Sequence, residues 1–389
     1  MPFNIQIFRF SYGILFLSYC LSSSIALPAA SLEEIGNVSQ ACLSSEKILR
    51  VNDIQSIGSH NSYKLFIPEP ELDLLKEYNE SQALTLDYNH LPLVDQLDLG
   101  LRQLELDVFY DPDGSLFISP LLSEITKGSR NSVEFRDEGM ERPGFKVLHT
   151  MDIDVHSNCN TWIKCLTEIR DWSLANPSHL PVLIMFNAKE GGSNFPNASK
   201  APQFSEAAFL ELERETLSVL NISQIITPDD VRGEEGSLRE AVLQNGWPSL
   251  ENSRGRVIFA VDEGPGKVRT YARGMGSLEG LPFFVNSISE DSDHAAYFTR
   301  NDPITSQDEI TRLVRRGFLV RTRADASTLE ARINDSSRRE AAFKSGAHFI
   351  STDYYLPRIE LSDYSVTLPK GNPSRLNPIR FKEKCNLGY

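Results

Sequence analysis

Eight short apolar runs rich in β-branched and aromatic residues recur along this chain, and they constrain its fold more than any other feature. They are Asp53–Ile57, Leu101–Phe109, Phe145–His149, Val182–Phe186, Arg256–Val261, Leu281–Val285, Phe318–Thr322 and Ala347–Ser351. Runs of this length and composition read as buried strands. Helical patterns separate several of them. "NTWIKCLTEIRDWSLAN" places Trp162, Ile163, Leu166, Ile169 and Trp172 on one stripe, and "SEAAFLELERETLSVL" follows the fourth run. "SQDEITRLVRRG" precedes the seventh run and "STLEARINDSSRREAAFKSG" the eighth, with Ser327 and Glu330 spaced as a capping box and Gly346 as a helix stop. Strands alternating with helices in this way predict an α/β fold, an irregular (β/α)8 TIM-type barrel in one domain. Two stretches break the alternation, since 111–144 has no helical period and 262–280 reads as a Gly-rich loop. A doubly wound open sheet is the structural alternative, but no Gly-x-Gly-x-x-Gly follows the first run.

In such a barrel the chemistry sits on the C-terminal ends of the strands. Seven of the eight runs end in polar or ionisable residues: "GSHN", "LELDVFYD", "VLHT", "FNAKE", "VDEG", "RTRAD" and "STDYY". Alternation along a strand puts Glu105 and Asp107 on one face and Leu104, Leu106 and Val108 on the other. Two inward carboxylates repel unless a positive group lies between them. Arg321 and Arg323 on the seventh run are one source of that charge. A hard divalent cation is the other, because carboxylates with a carboxamide such as that of Asn61 suit calcium, with magnesium as alternative. His60 and His149 end the first and third runs, placed for one imidazole to take a proton and the other to give one.

Composition narrows the partners. A formal net charge of -14 over 389 residues excludes a general nucleic-acid binder, which needs a basic face. The first residues, "MPFNIQIFRFSYGILFLSYCLSSSIALPAAS", combine Arg9, an apolar run from Phe10 to Leu21 and small residues. This predicts a secretory signal over 1–26 rather than a membrane anchor, and hence a secreted protein. Without Cys20, four cysteines remain, and Cys159 with Cys165 is the expected local disulfide provided Cys159 lies outside a helix. Cys42 with Cys385 would then tie the ends together; a zinc site is the alternative, at a spacing unlike its usual pattern. Asn-x-Ser sequons at Asn37, Asn79, Asn197, Asn221 and Asn334 suit an extracellular glycoprotein.

"GSHNSY", "LRQLELDVFYDPDG", "FKVLHTMDIDVHSNCNTWIKCLTEIRDWSLANPSHLPVLIMFNAKE" and "FISTDYY" together resemble the secreted calcium-dependent phosphoinositide-specific phospholipase C family, among the phosphatidylinositol phospholipase C-like phosphodiesterases. The likeness spans about Asp53 to Leu356. It implies a barrel domain over 40–369; the Pro-punctuated "LPKGNPSRLNPIRFKEKCNLGY" reads as an irregular C-terminal strap over 370–389. It also implies His60 and His149 as catalytic histidines, with Glu105 as metal ligand and general base. Asn61, Glu105, Asp107 and Asn187 become the metal ligands and Ca2+ (or Mg2+) the cofactor. Asn187 departs from the pattern, because related barrels place a Glu there; Glu190 has the opposite strand parity.

Lys189, Arg321 and Arg323 are candidates to hold phosphate or headgroup oxygens, with Arg323 pairing Asp325 as the alternative. Asp353 and Tyr354 are candidates for inositol hydroxyls or ring stacking, against a core-capping role. Asp262 is placed to orient Lys189. The implied reaction cleaves a phosphatidylinositol-type lipid to a cyclic inositol phosphate and diacylglycerol, in a monomer that touches membranes transiently. The rivals are a glycerophosphodiester phosphodiesterase acting on a soluble diester, and an inactive secreted barrel that binds lipid or carbohydrate.

Overall fold

The computed structural model describes residues 49–381, apart from 136, 137 and 245. Two parallel sheets carry seven of the eight predicted strands. One joins β1 (Ile54–Ser59), β11 (Phe349–Thr352), β10 (Leu319–Arg323) and β9 (Tyr297–Thr299); the other joins β2 (Gln103–Glu105), β5 (Val182–Phe186), β7 (Val257–Val261) and β8 (Phe284–Val285). Their edges meet twice. A parallel bridge pairs Asn286 with Tyr297 beside β8 and β9, and the Arg102 amide donates to the Ile57 carbonyl at 2.9 Å between β1 and β2. Eight parallel strands thus follow one another in a ring whose two seams are not continuous ladders. The fold is an irregular (β/α)8 barrel.

The C-terminal strap accounts for one seam. Its β12 (Ser374–Leu376) pairs antiparallel with Ile54, Gln55 and Ser56, taking the edge of β1 that β2 would otherwise use. The main core is apolar and large, with Leu104, Leu183, Ile184, Phe259, Val320 and Trp162 all buried within it. At about 25 cal/mol per Å² such burial is what offsets the entropy of ordering the ring.

Helices flank the strands where the apolar stripes put them: α4 (Trp162–Ala175), α5 (Glu206–Val219) and α10 (Gln307–Arg315). Thr161 caps α4 and Ser205 caps α5, each accepting a backbone N–H three residues on. Ahead of them α1 (Glu69–Thr85) and α2 (Leu93–Asp98) lie between β1 and β2, and α3 (Leu121–Thr126) follows the strand after β2. The segment before β11 is split into α11 (Leu329–Ile333) and α12 (Ser337–Ser345) by Asn334 in the left-handed region. Gly346 stops α12 at φ +78°, as expected. The predicted capping box does not form. Thr328, not Ser327, is the N-cap of α11, and Glu330 turns back onto the Ala326 amide at 2.9 Å.

Three other expectations change. The run Leu101–Phe109 is two strands, because the chain leaves the barrel after Glu105 and enters β3 (Val108–Asp111). There it pairs antiparallel with β4 (Gly144–Val147), so the run before His149 is a hairpin strand and not a barrel strand. The missing barrel strand is β9, too short and polar-flanked to show a pattern in the sequence. The supposed loop at 262–280 contains the helix Pro265–Ala272. Cys159 lies just before α4 and is bonded to Cys165. Cys42, Cys385, Asn37 and the N-terminal segment lie outside the described residues. Asn79, Asn197, Asn221 and Asn334 are all exposed. No described helix is long and apolar enough to cross a membrane.

Candidate active site

β1 ends at Ser59, and the next two residues begin the site. Asn61 takes φ +48°, a left-handed turn that ends the strand. His60 is then held from several sides. Its Nδ1 lies 2.8 Å from Oδ1 of Asp353, just past β11, while Nη1 of Arg323 from β10 lies 3.2 Å from its Nε2. A guanidinium only donates, so Nε2 is the acceptor and Nδ1 carries the proton given to Asp353. Burial, with Arg323 next in importance, holds this imidazole well below the usual histidine range. Below it, His90 donates from Nε2 to the His60 carbonyl at 2.7 Å and stacks on Tyr355; burial pushes His90 down to about 4.

Glu105 closes β2. Its Oε2 accepts from Arg321 at 2.5 Å, and its Oε1 lies 3.9 Å from Nε2 of His60. Arg321 is fixed further by Asn301 and by Ser351 Oγ at 3.0 Å. Asp107, two residues on, is bound to a different cation. Its Oδ2 is 3.0 Å from Nζ of Lys189 on β6 (Ala188–Lys189) and accepts from the Tyr63 hydroxyl at 2.9 Å. Its Oδ1 is buried and has no hydrogen-bond partner. Burial works against the Lys189 ammonium, but Asp107 and Glu105 more than restore it and its pKa is raised. The carboxylates predicted to share a face are therefore neighbours, each neutralised by its own cation.

His149 follows β4 and reaches the same region from the hairpin. Its Nδ1 donates to Oδ2 of Asp154 at 2.8 Å. Asp154 is fully buried against Lys64, whose Nζ is 3.1 Å from Oδ1 and sits over the Tyr88 ring at 4.9 Å. Burial alone would raise the Asp154 carboxyl, but Lys64 and the His149 hydrogen bond overcome it and leave it lowered. Tyr88 links the two halves. Its hydroxyl accepts from the Asn61 amide at 2.8 Å, and its ring lies 5.9 Å from that of His60.

The remaining candidates divide. Asp353 and Arg323 belong to the His60 cluster, with Arg323 on Asp353 at 3.1 Å rather than on Asp325. Asp325 supports from behind, accepting from Thr352 and from the Asp353 amide at 2.9 Å; burial first, then the nearby Asp353 charge, push it up to about 7. Tyr354 is buried in an apolar cluster edge-on to Tyr364, so its ring is largely packed in the core, although its residue also borders the cavity described below. Asn187 follows β5 and its amide donates to the Asp262 carbonyl. Asp262 does not orient Lys189; it is half-buried near Arg321, and desolvation raises it to about 6. Glu190 is turned away, accepting from the Phe204 amide at 2.9 Å.

Tyr63, Lys64, Tyr88, His90 and Asp154 were not predicted. Two of them lie in "SHNSYKL" beside His60, and Asp154 lies within "HTMDID", yet nothing in their spacing marks them as partners. A cavity of about 450 Å³ opens beside this centre, lined by Phe66, Tyr88, Leu91, Asp353, Tyr355 and Arg358 among others. Among the described residues no three His, Cys, Asp or Glu side chains converge as a metal cluster. The donor set predicted from the sequence, Asn61, Glu105, Asp107 and Asn187, is two carboxylates and two carboxamides.

Two crystal forms of an apo calcium-dependent phosphoinositol-specific phospholipase C from Pseudomonas sp. each align with a TM-score of 0.50 at 16% identity. They cover 87% of this chain and 98% and 97% of their own. A Ca2+-dependent phosphatidylinositol-specific phospholipase C from Streptomyces antibioticus aligns at 18% identity and TM-score 0.49, covering 79% of this chain and 95% of that one. No curated protein sequence matches. The family model for Ca2+-dependent phosphoinositide phospholipase C matches residues 49–378. The chain belongs to the calcium-dependent phosphoinositide phospholipase C family, and is a phosphoric diester hydrolase.

Proposed function

We propose that this protein is a secreted phosphodiesterase that cleaves phosphatidylinositol-type lipids, releasing diacylglycerol and a cyclic inositol phosphate. The observation that supports it best is a pair of imidazoles within electrostatic reach of each other, each anchored through Nδ1 to a buried carboxylate, with Arg323 on His60 and Arg321 nearby on Glu105. His60 is the proton acceptor, with Glu105 beside it. The inositol 2-hydroxyl gives up its proton to Nε2 as its oxygen attacks phosphorus. Attack from within the same molecule carries a large effective-molarity advantage over recruited water. The bond from phosphorus to the glycerol oxygen breaks, and that oxygen takes the proton from Nε2 of His149. Asp353 and Asp154 keep the two rings in the tautomer and orientation this exchange needs.

Arg321, Arg323 and Lys189 gather the phosphate oxygens, where fixed positive charge in a buried site stabilises the developing dianion. Asp353 also lies within reach of headgroup hydroxyls, and Tyr354 closes the floor behind it. The family is calcium-dependent, and the partnerless Oδ1 of Asp107 is the oxygen an ion would satisfy. Asp107, Glu105, Asn61 and Asn187 would hold calcium, which supplies further positive charge beside the phosphate.

The test is an assay of the mature protein on phosphatidylinositol, with and without calcium, beside His60→Ala and His149→Ala. Cyclic inositol phosphate from wild type and its loss in both variants are expected. Glycerol phosphate from a soluble diester would favour a glycerophosphodiester phosphodiesterase. Headgroup binding without turnover would mean an inactive binding barrel. Secretion fits the Cys159–Cys165 disulfide, since such bonds persist in oxidising compartments.

A further inference from the structure

We propose that Lys189 is a resident counter-ion for Asp107 that calcium must displace, so that the metal and the anionic substrate each tighten the binding of the other. The inference rests on the phosphodiesterase reading above and adds a binding linkage to it. Asp107 is 1% exposed and has one oxygen on the Lys189 ammonium, with the other buried and unpartnered. Glu105 is likewise taken, by Arg321. Between these four groups, two carboxylates against one ammonium and one guanidinium leave no excess negative charge; the further acids near them are Asp262, raised to about 6, and Glu263. The strand-four position adds none, because Asn187 is neutral and its amide is engaged by the Asp262 carbonyl. A divalent cation entering this pocket alone meets a neutral cluster and two like charges.

The two cations differ in how firmly they are held. Arg321 is 2% exposed at its side chain and bound to Glu105, Asn301 and Ser351. Lys189 is 32% exposed, and Asp107 is the one acid within ion-pair distance of it among the described residues. An ammonium on a flexible four-carbon stem exchanges partners more readily than a guanidinium locked by its planar fork. When a phosphodiester enters, its anionic oxygens offer Lys189 a new partner. Asp107 is then released, with both oxygens available to the metal. Because binding free energies are reciprocal, calcium must in turn tighten the anion.

Calorimetric titration of calcium into the full mature chain tests this, with myo-inositol 1-phosphate as the anionic probe. Wild type should bind calcium weakly alone and about tenfold or more tightly when the probe is saturating. Lys189→Met should bind calcium about tenfold or more tightly than wild type without the probe, and gain little from it. Lys189→Gln serves as a second neutral variant, and Lys189→Arg should keep the linkage because it keeps the charge. Equal calcium affinity with and without the probe, no calcium binding in any arm, or neutral variants binding no tighter than wild type would overturn the proposal. The calcium-alone arms contain no lipid and no turnover. They can therefore fail while phosphatidylinositol is still cleaved, and can succeed if it is not.

Discussion

Arg323 donates to Nε2 of His60 at 3.2 Å while its other terminal nitrogen holds Asp353, the carboxylate bound to Nδ1 of the same ring. One cation thus keeps the imidazole neutral and also steadies the acid that orients it. Removing Arg323 takes away a charge that lowers the His60 pKa, so that pKa must rise. In Arg323→Met the acidic limb of the pH profile of kcat/KM should move to higher pH, and a profile with an unmoved limb would separate His60 from catalysis. Asp353→Asn should lower kcat by about 100-fold or more, because the ring loses its tautomer anchor.

His149 and Asp154 make a prediction about the leaving group. His149→Ala should lose about 100-fold or more on a diacylglycerol ester, whose alkoxide needs a proton, and much less on an ester of a good leaving group such as p-nitrophenol. Parallel rate measurements on the two substrates decide it; equal losses would mean that His149 donates no proton. Asp154→Asn should show the same selectivity in weaker form.

Glu215 on α5 lies away from the site and should control stability. It is buried beside the hairpin, and burial pushes its carboxyl up to about 7. Between its unfolded pKa near 4.3 and that value the folded state keeps a proton that the unfolded state has released. Stability from this group is therefore present at low pH and lost as pH rises through about 7, by up to about 4 kcal/mol. Urea unfolding at several pH values should show that decline in wild type and a flatter profile in Glu215→Gln.

The Cys159–Cys165 bond fixes the entry to α4 beside β4, where the Val147 amide donates to Asn160 at 2.9 Å. A cross-link closing so short a loop contributes about 2 kcal/mol on chain-entropy grounds. The Cys159→Ala, Cys165→Ala double variant should unfold at correspondingly lower urea, and added reductant should move wild type the same way without affecting the variant.

The sequence by itself determined the barrel and which ionisable residues stand at its strand ends. Apolar runs of strand length ending in or just before His60, Glu105, Asn187, Asp262, Arg323 and Asp353 mark the C-terminal end of the barrel, because strand period and strand direction are local properties. Only the tertiary structure decided which charges meet. Glu105 finds Arg321 across 216 positions, and Asp107 finds Lys189 rather than a second acid. His149 arrives on an antiparallel hairpin, and Tyr88 bridges the two histidine clusters from a loop with no periodic signal. Such pairings depend on ring closure and on the path of the connecting loops, and they are chosen by the free energy of burying opposite charges together. A linear pattern carries the residue types for that choice, while the outcome follows from the distances between them in the folded chain.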